Sequence, residues 1–285
     1  MSFKQRILNR LCRLAPRNQL WTTPIAGLYI HHSDNQPHVS GYIQKPSICV
    51  VLQGERVIRR GREDYRFSAG HMMFCPVNLP LISQVNKPPA RQPYLAMSLQ
   101  LDLTLLAQVA TEIRTQTPCA CPPSQLKWAL NRRLFDSLLR LLDLLDCPHD
   151  IPFLAPLILR EIYYRLLQSE QGDYLRSLLS QESHIAKIAR ATHWLQTHFA
   201  APLAIAELAR RVGMSQSNFY QHFKHVTSMS PLQYQKSLRL SEARRLLQLN
   251  QYSITQIAYE VGYASPNQFS REYKRYFGVS PRGDK

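Results

Sequence analysis

The side chains with the clearest chemical task sit in the last hundred residues. Ser217, Tyr220 and Gln221 form one polar set; Asn267, Gln268, Ser270 and Arg271 form another. Each set is interleaved with aromatics four residues apart, Phe219 with Phe223 and Phe269 with Tyr273. Residues four apart share a helix face, so the aromatics turn inward and the polar sets outward. Outward Gln and Asn suit the edge of adenine and outward Arg that of guanine, so the expected chemistry is hydrogen-bond reading of base pairs. Lys224, Arg239, Lys274 and Arg275 flank these sets as charges for phosphate oxygens.

Other chemistry is thin. His31 and His32, His38 and His71 lack the spacing of a His-x-His metal motif. Cys119-x-Cys121 lacks the further Cys or His of a tetrahedral zinc site. No metal and no cofactor are therefore expected. No Ser/His/Asp order, phosphate loop or paired carboxylate marks an enzyme. Cys49 and Cys75 fall in apolar stretches and read as core thiols. Lining a pocket and reacting with an electrophile is their alternative use.

The elements that position the polar sets form an internal repeat. Leu208 aligns with Ile257, Ala209 with Ala258, Val212 with Val261 and Gly213 with Gly262. After one extra residue in the turn, Phe219 aligns with Phe269, Phe223 with Tyr273, Lys224 with Lys274 and Pro231 with Pro281. Each copy reads as a helix, a turn at glycine and a second helix, the helix-turn-helix whose second helix enters the major groove. Ser230 with Gln233, Ser253 with Gln256 and Ser265 with Gln268 are capping-box patterns. The joining helix over 231–249 spans roughly 28 Å at 1.5 Å per residue. That approaches the ~34 Å between successive major grooves on one face of the duplex.

The chain has 285 residues, 45% of them hydrophobic, which suits one large globular domain or two small ones. Its net charge of +16 points to a polyanionic partner, and residues 185–285 concentrate it, with 14 Lys and Arg against 5 acids. No apolar run is long enough to cross a bilayer, and no apolar leader opens the chain, so a cytoplasmic location with reduced thiols is expected. Residues 1–20 read as a basic amphipathic helix, either packed on the fold or resting on a membrane. Residues 21–102 read as the short strands of an antiparallel sandwich or barrel, at 48–52, 56–59, 65–67, 72–75 and 95–101. Helices are expected over 103–115, 126–145 and 153–168, with a breaker-rich linker at 117–123. Leu134, Leu138, Leu141, Leu142 and Leu145 make a stripe that is either internal core or the seam of a dimer.

The repeat, with Arg239-Leu-Ser-Glu-Ala-Arg-Arg-Leu-Leu247 and Ile257-Ala-Tyr-Glu-Val-Gly-Tyr-Ala-Ser-Pro-Asn-Gln-Phe-Ser-Arg271, closely resembles the AraC/XylS family of bacterial transcription regulators. The likeness covers residues 185–283. Lys45-Pro-Ser-Ile-Cys-Val-Val-Leu-Gln-Gly54, Pro93-Tyr-Leu-Ala-Met-Ser-Leu99 and Pro156-Leu-Ile-Leu-Arg-Glu-Ile162 resemble the effector domain of one AraC-type subgroup. The resemblance implies an α+β chain. Residues 1–180 would form a cupin-like β-barrel with a helical dimerisation element. Residues 181–285 would form an all-α domain with two helix-turn-helix motifs on a long helix. The polar sets match the family's base-contacting positions. The implied partners are double-stranded promoter DNA, a small-molecule effector, a second copy in a homodimer and RNA polymerase, with no membrane. The effector pocket is expected inside the barrel at Val50, Leu52, Phe74 and Cys75, coupled to the DNA-binding half through 177–183. A redox or electrophile sensor using Cys49 or Cys75, and a barrel enzyme with a DNA-binding tail, stand as alternatives.

Overall fold

The computed structural model describes residues 3–17, 19–33, 39–61, 63–85, 93–113, 126–169, 172–180 and 182–285. His38, Cys119, Cys121 and the 117–123 linker lie outside them.

Helix α1 (Phe3–Leu14) buries Ile7, Leu8 and Leu11. Its Arg10 pairs with Asp143 and Asp146. Ile7, Leu8 and Leu11 on the apolar face of this basic helix are covered by the protein itself, as in the packed-arm reading.

Nine strands follow: β1 (Gln19–Thr22), β2 (Leu28–Ser33), β3 (Val39–Gln44), β4 (Ser47–Gln53), β5 (Glu55–Arg60), β6 (Glu63–Ser68), β7 (His71–Cys75), β8 (Leu79–Val85) and β9 (Tyr94–Gln100). Every strand expected from the sequence is among them. After α2 (Leu103–Glu112) a short β10 (Lys127–Ala129) pairs with β7. The strands build two antiparallel sheets, one in the order β1-β2-β9-β4-β7-β10 and a smaller one in the order β3-β8-β5-β6. Period-2 alternation gives each strand two faces. In the larger sheet Cys49 pairs with Met73 and Ser98 on the side facing the smaller sheet. Their neighbours Ile48, Phe74 and Leu99 are buried too, and Phe74 stacks on Trp128 and meets Tyr174.

Tyr174 belongs to the helices that cover the outer face. These are α3 (Arg132–Asp143), α4 (Ile151–Leu167) and α5 (Gly172–Leu179). The helix expected over 126–145 is shorter, because Lys127–Ala129 is drawn into the sheet and Asn131 then caps α3 by accepting from the Leu134 amide. The leucine stripe is core: Leu134, Leu138, Leu141, Leu142 and Leu145 are all buried within the chain, and α3 packs on α4. A dimer seam along that stripe is thereby corrected. Within this helical layer, exposed apolar side chains lie instead on α4, at Phe153, Leu154, Leu157 and Tyr164.

Six further helices complete the chain: α6 (His184–His198), α7 (Ile205–Arg211), α8 (Gln216–Thr227), α9 (Pro231–Gln248), α10 (Ile254–Glu260) and α11 (Pro266–Phe277). One apolar core runs from α1 to Leu238, halfway along α9. A second begins at Leu240 and holds α10 and α11. The long helix is thus shared, one half buried in each helix-turn-helix unit.

Candidate nucleic-acid interface and ligand cavity

Each unit turns at a glycine in the left-handed region, Gly213 at φ 69° and Gly262 at φ 87°. A side chain resists that conformation by about 1–2 kcal/mol. At Gly262 a Cβ would also lie 2.2 Å from the Ala200 carbonyl oxygen, so nothing larger fits. Beyond each turn a serine starts the second helix. Ser215 accepts from the Asn218 amide and Ser265 from the Gln268 amide. Full reciprocal boxes form at Ser230 with Gln233 and at Ser253 with Gln256. At Ser265 the box is half made, because the Gln268 side chain turns to Glu272.

Phe219, Phe223, Phe269 and Tyr273 are wholly buried, and this fixes the rotation of α8 and α11. Ser217, Tyr220, Gln221 and Lys224 then stand exposed on α8. Asn267, Gln268, Arg271, Lys274 and Arg275 stand exposed on α11, with Ser270 half-buried. Each recognition helix therefore presents donors and acceptors on one side and lysine or arginine toward its C-terminal end, the arrangement needed to read a groove edge and hold its phosphates.

Arg239 does something else. Its Nε donates to the Phe199 carbonyl at 2.8 Å, one terminal nitrogen to Gly262 at 2.7 Å and the other to Ala200 and Ala201 at 3.0 and 3.2 Å. Burial pushes its guanidinium pKa down from the ordinary value. With its donors spent on carbonyls that end α6 and the glycine turn, Arg239 is a structural clasp, and its assignment to phosphate is corrected. The sequence also gave no sign of Glu272. It accepts from Lys236 on α9 and from the Tyr263 hydroxyl, both at 2.9 Å, and so ties α11 to the joining helix.

Between the two sheets lies a cavity of about 450 Å³. Its wall includes Ile43, Cys49, Ile58, Phe67, Met73 and Ala96, and exposed Leu20 and Lys45 mark its mouth. Of the expected pocket residues Val50 lines it, whereas Leu52, Phe74 and Cys75 do not. Phe74 points the other way, into the helical layer, and Cys75 is sealed in the core. Cys49 lines the cavity with its thiol 3.2 Å from the Ser98 hydroxyl. Burial pushes the thiol pKa of Cys49 up and that of Cys75 well up. That is the reverse of what makes a thiol reactive. Three polar side chains in the wall carried no signal in the sequence: Tyr42, Arg56 and Tyr94.

The outer face of the smaller sheet carries the DNA-binding half. Strands β3 and β8 pack on α9. The buried Tyr234 hydroxyl donates to the Asn78 carbonyl at 2.6 Å. A Cβ on Gly41 would lie 2.5 Å from a ring carbon of Phe277, and Arg59 faces Tyr276. The two halves therefore meet across β3, β5 and β8, in addition to the chain's own passage through 177–183.

Among known proteins, the chain matches the family described as AraC-type transcriptional regulator N-terminus over residues 24–174, more than half its length. A helix-turn-helix domain family matches residues 208–283. It is 27% identical over 157 residues to the HTH-type transcriptional activator RhaS of Salmonella schwarzengrund, covering 54% of this chain and 55% of that protein. The chain thus spans about half the length of the curated relatives it matches. Its fold is similar to that of unsaturated fatty acid-bound ToxT from Vibrio cholerae strain SCE256. The TM-score is 0.55 at 13% identity, covering 87% of this chain and 95% of that one. ToxT from strain O395 gives 0.56 at 12% identity, covering 90% and 95%. A two-sheet cavity domain joined to two capped helix-turn-helix units, with a family match over each, makes the chain a member of the AraC-type transcriptional regulators.

Proposed function

We propose that the chain is a sequence-specific DNA-binding regulator of the AraC/XylS type, switched by a small molecule held between its two sheets. One observation carries the reading: two recognition helices, each with an exposed polar face, are fixed on one shared 18-residue helix. At 1.5 Å per residue that helix is about 27 Å long, the scale of one turn of duplex. Residues 1–180 act as the sensing and dimerising part and 181–285 as the DNA reader. Ser217, Tyr220, Gln221, Asn267, Gln268, Ser270 and Arg271 face base edges, and Lys224, Lys274 and Arg275 hold phosphates. RhaS, described as a transcriptional activator, and ToxT, solved with a bound fatty acid, support a regulator with a ligand site.

The protein is not an enzyme, works in the cytoplasm as a homodimer, and contacts RNA polymerase at its promoters. The dimer forms along the exposed face of α4. Raised thiol pKa values leave Cys49 as a lining residue and disfavour electrophile sensing. The test is selection of bound duplexes from a random pool by the full chain, followed by titration of the winners at rising salt. A shared motif should emerge, and its affinity should fall steeply with salt as counterions are released. Failure to enrich any sequence over competitor DNA sinks the reading.

A further inference from the structure

Arg56 lies in the cavity wall, and the side chains it touches there, Ser83, Tyr42 and Tyr94, are neutral, while a second cation, Lys45, stands at the mouth. Its Nε donates to the Ser83 hydroxyl at 2.5 Å, its guanidinium carbon sits 5.1 Å from the centre of the Tyr42 ring, and it bonds to Tyr94. Among the described residues it forms no ion pair. By contrast Arg60, four residues along on the same side of β5, has Glu63, and buried Arg244 has Asp284. A charge taken from water and left without an opposite charge is costly. Burial works against the charged form of Arg56, but the surrounding oxygens and the hydrogen bonds prevail and its pKa is raised, so the cation persists. The Tyr42 hydroxyl, in the same wall and buried, has no hydrogen-bond partner among the described residues. Native interiors rarely leave such a group unpaired. Both groups line one space, and a single anionic acceptor there would satisfy both. Much of the remaining wall, at Ile43, Ile58, Phe67, Met73 and Ala96, is apolar, with Gln44, Lys45, Ser98 and Gln100 among its polar members.

We infer that the cavity takes an organic acid. Its carboxylate sits on the Arg56 guanidinium and the Tyr42 hydroxyl, and its apolar body lies along the strand residues. A guanidinium matches a carboxylate with two parallel hydrogen bonds, which gives orientation as well as charge. A bare inorganic anion would satisfy the head and leave the apolar wall empty, so the two parts together specify an amphiphilic acid. This rests on the reading of the cavity as the effector site.

The test is calorimetry on the full chain. Decanoate and 2-naphthoate, as aliphatic and aromatic acids, are compared with their methyl esters and with inorganic phosphate. At least one acid should bind once per chain, about tenfold or more tighter than its ester, which a pairing energy of a single charged hydrogen-bond pair comfortably supplies. Phosphate should not bind. Tyr42→Phe should weaken the acid several-fold and leave the ester unchanged, and Arg56→Met should remove the preference for the acid. The comparison of acid with ester uses the unaltered protein, so it stands even if Arg56→Met fails to fold. Equal binding of acid and ester, or no binding of either acid, overturns the inference. DNA binding that responds to the esters and ignores the acids also overturns it, and leaves the regulator reading standing. Acids that bind tightly without changing DNA affinity uphold the inference and remove the reading.

Discussion

At the scale of single residues, exposure separates readers from holders. Arg271 is exposed beside the buried Phe269 and Tyr273, whereas Gln268 is tethered to Glu272 at 3.3 Å and must break that bond to reach a base. Arg271→Ala should cost about 1–3 kcal/mol at one base pair and relax the preference there. Lys274→Ala should weaken all sequences alike and reduce the salt slope by about one. Titration against duplexes changed one base at a time separates the two, and an unaltered preference in Arg271→Ala would remove its assigned role. These exposed positions were legible because the aromatics four apart fixed the helix rotation. Arg239 was not, because its partners are carbonyls at the end of α6 and in the Gly262 turn, brought together only by the tertiary fold. Arg56 was hidden for a similar reason: a basic residue in a polar-looking hairpin gives no hint that its side chain points inward.

At the scale of elements, Glu272 is where α11 is bolted to α9. Burial raises the pKa of its carboxyl, while hydrogen bonds from Lys236, Tyr263 and Gln268 lower it, and the net shift is downward from 4.5. A depressed acid contributes stability that is full above its unfolded pKa and is lost as pH falls through its folded one. Glu272→Gln should therefore destabilise the chain by about 1–2 kcal/mol at pH 7, with the gap closing as pH falls below 4.5 and through the lower folded value. Thermal melting of both proteins across that range reads it, and a gap that stays constant into acid would show that the carboxylate charge is not the cause. Sequence patterning located the strands at 48–52 and 72–75, but not which face met the cavity. Phe74 and Cys49 are both apolar in a buried strand, and a run apolar on both sides hides its parity. The stretch at 126–130 carried helix-like leucine spacing, yet its centre, Lys127–Ala129, became β10, because strand β7 offered an open edge that local propensity cannot register.

At the scale of the whole molecule, the leucine stripe was ambiguous because a helix with a broad apolar stripe looks the same whether its cover is internal or a second copy. Here α4 packs on α3, and among these helices it is α4 that leaves large apolar side chains uncovered, at Phe153, Leu154, Leu157 and Tyr164. Leu157→Asp, at a position 63% exposed, should leave the fold intact, give a monomer, and lose affinity for paired sites while keeping weak half-site binding. Leu138→Asp buries an unpaired charge and should unfold the chain instead. Sedimentation with circular dichroism decides it: a folded Leu157→Asp dimer puts the seam elsewhere. The smaller sheet has a further consequence. Along β3 the pleat sends Tyr42 to the cavity and Gly41 to Phe277, and along β5 it sends Ile58 inward and Arg59 to Tyr276. On the proposed function, the partition between chemical input and genetic output is one sheet thick, with adjacent codons on its opposite faces. A library built to retune ligand choice at positions 42 and 58 therefore samples altered basal expression at the same time, and drift in what the regulator senses carries with it drift in how loudly it answers.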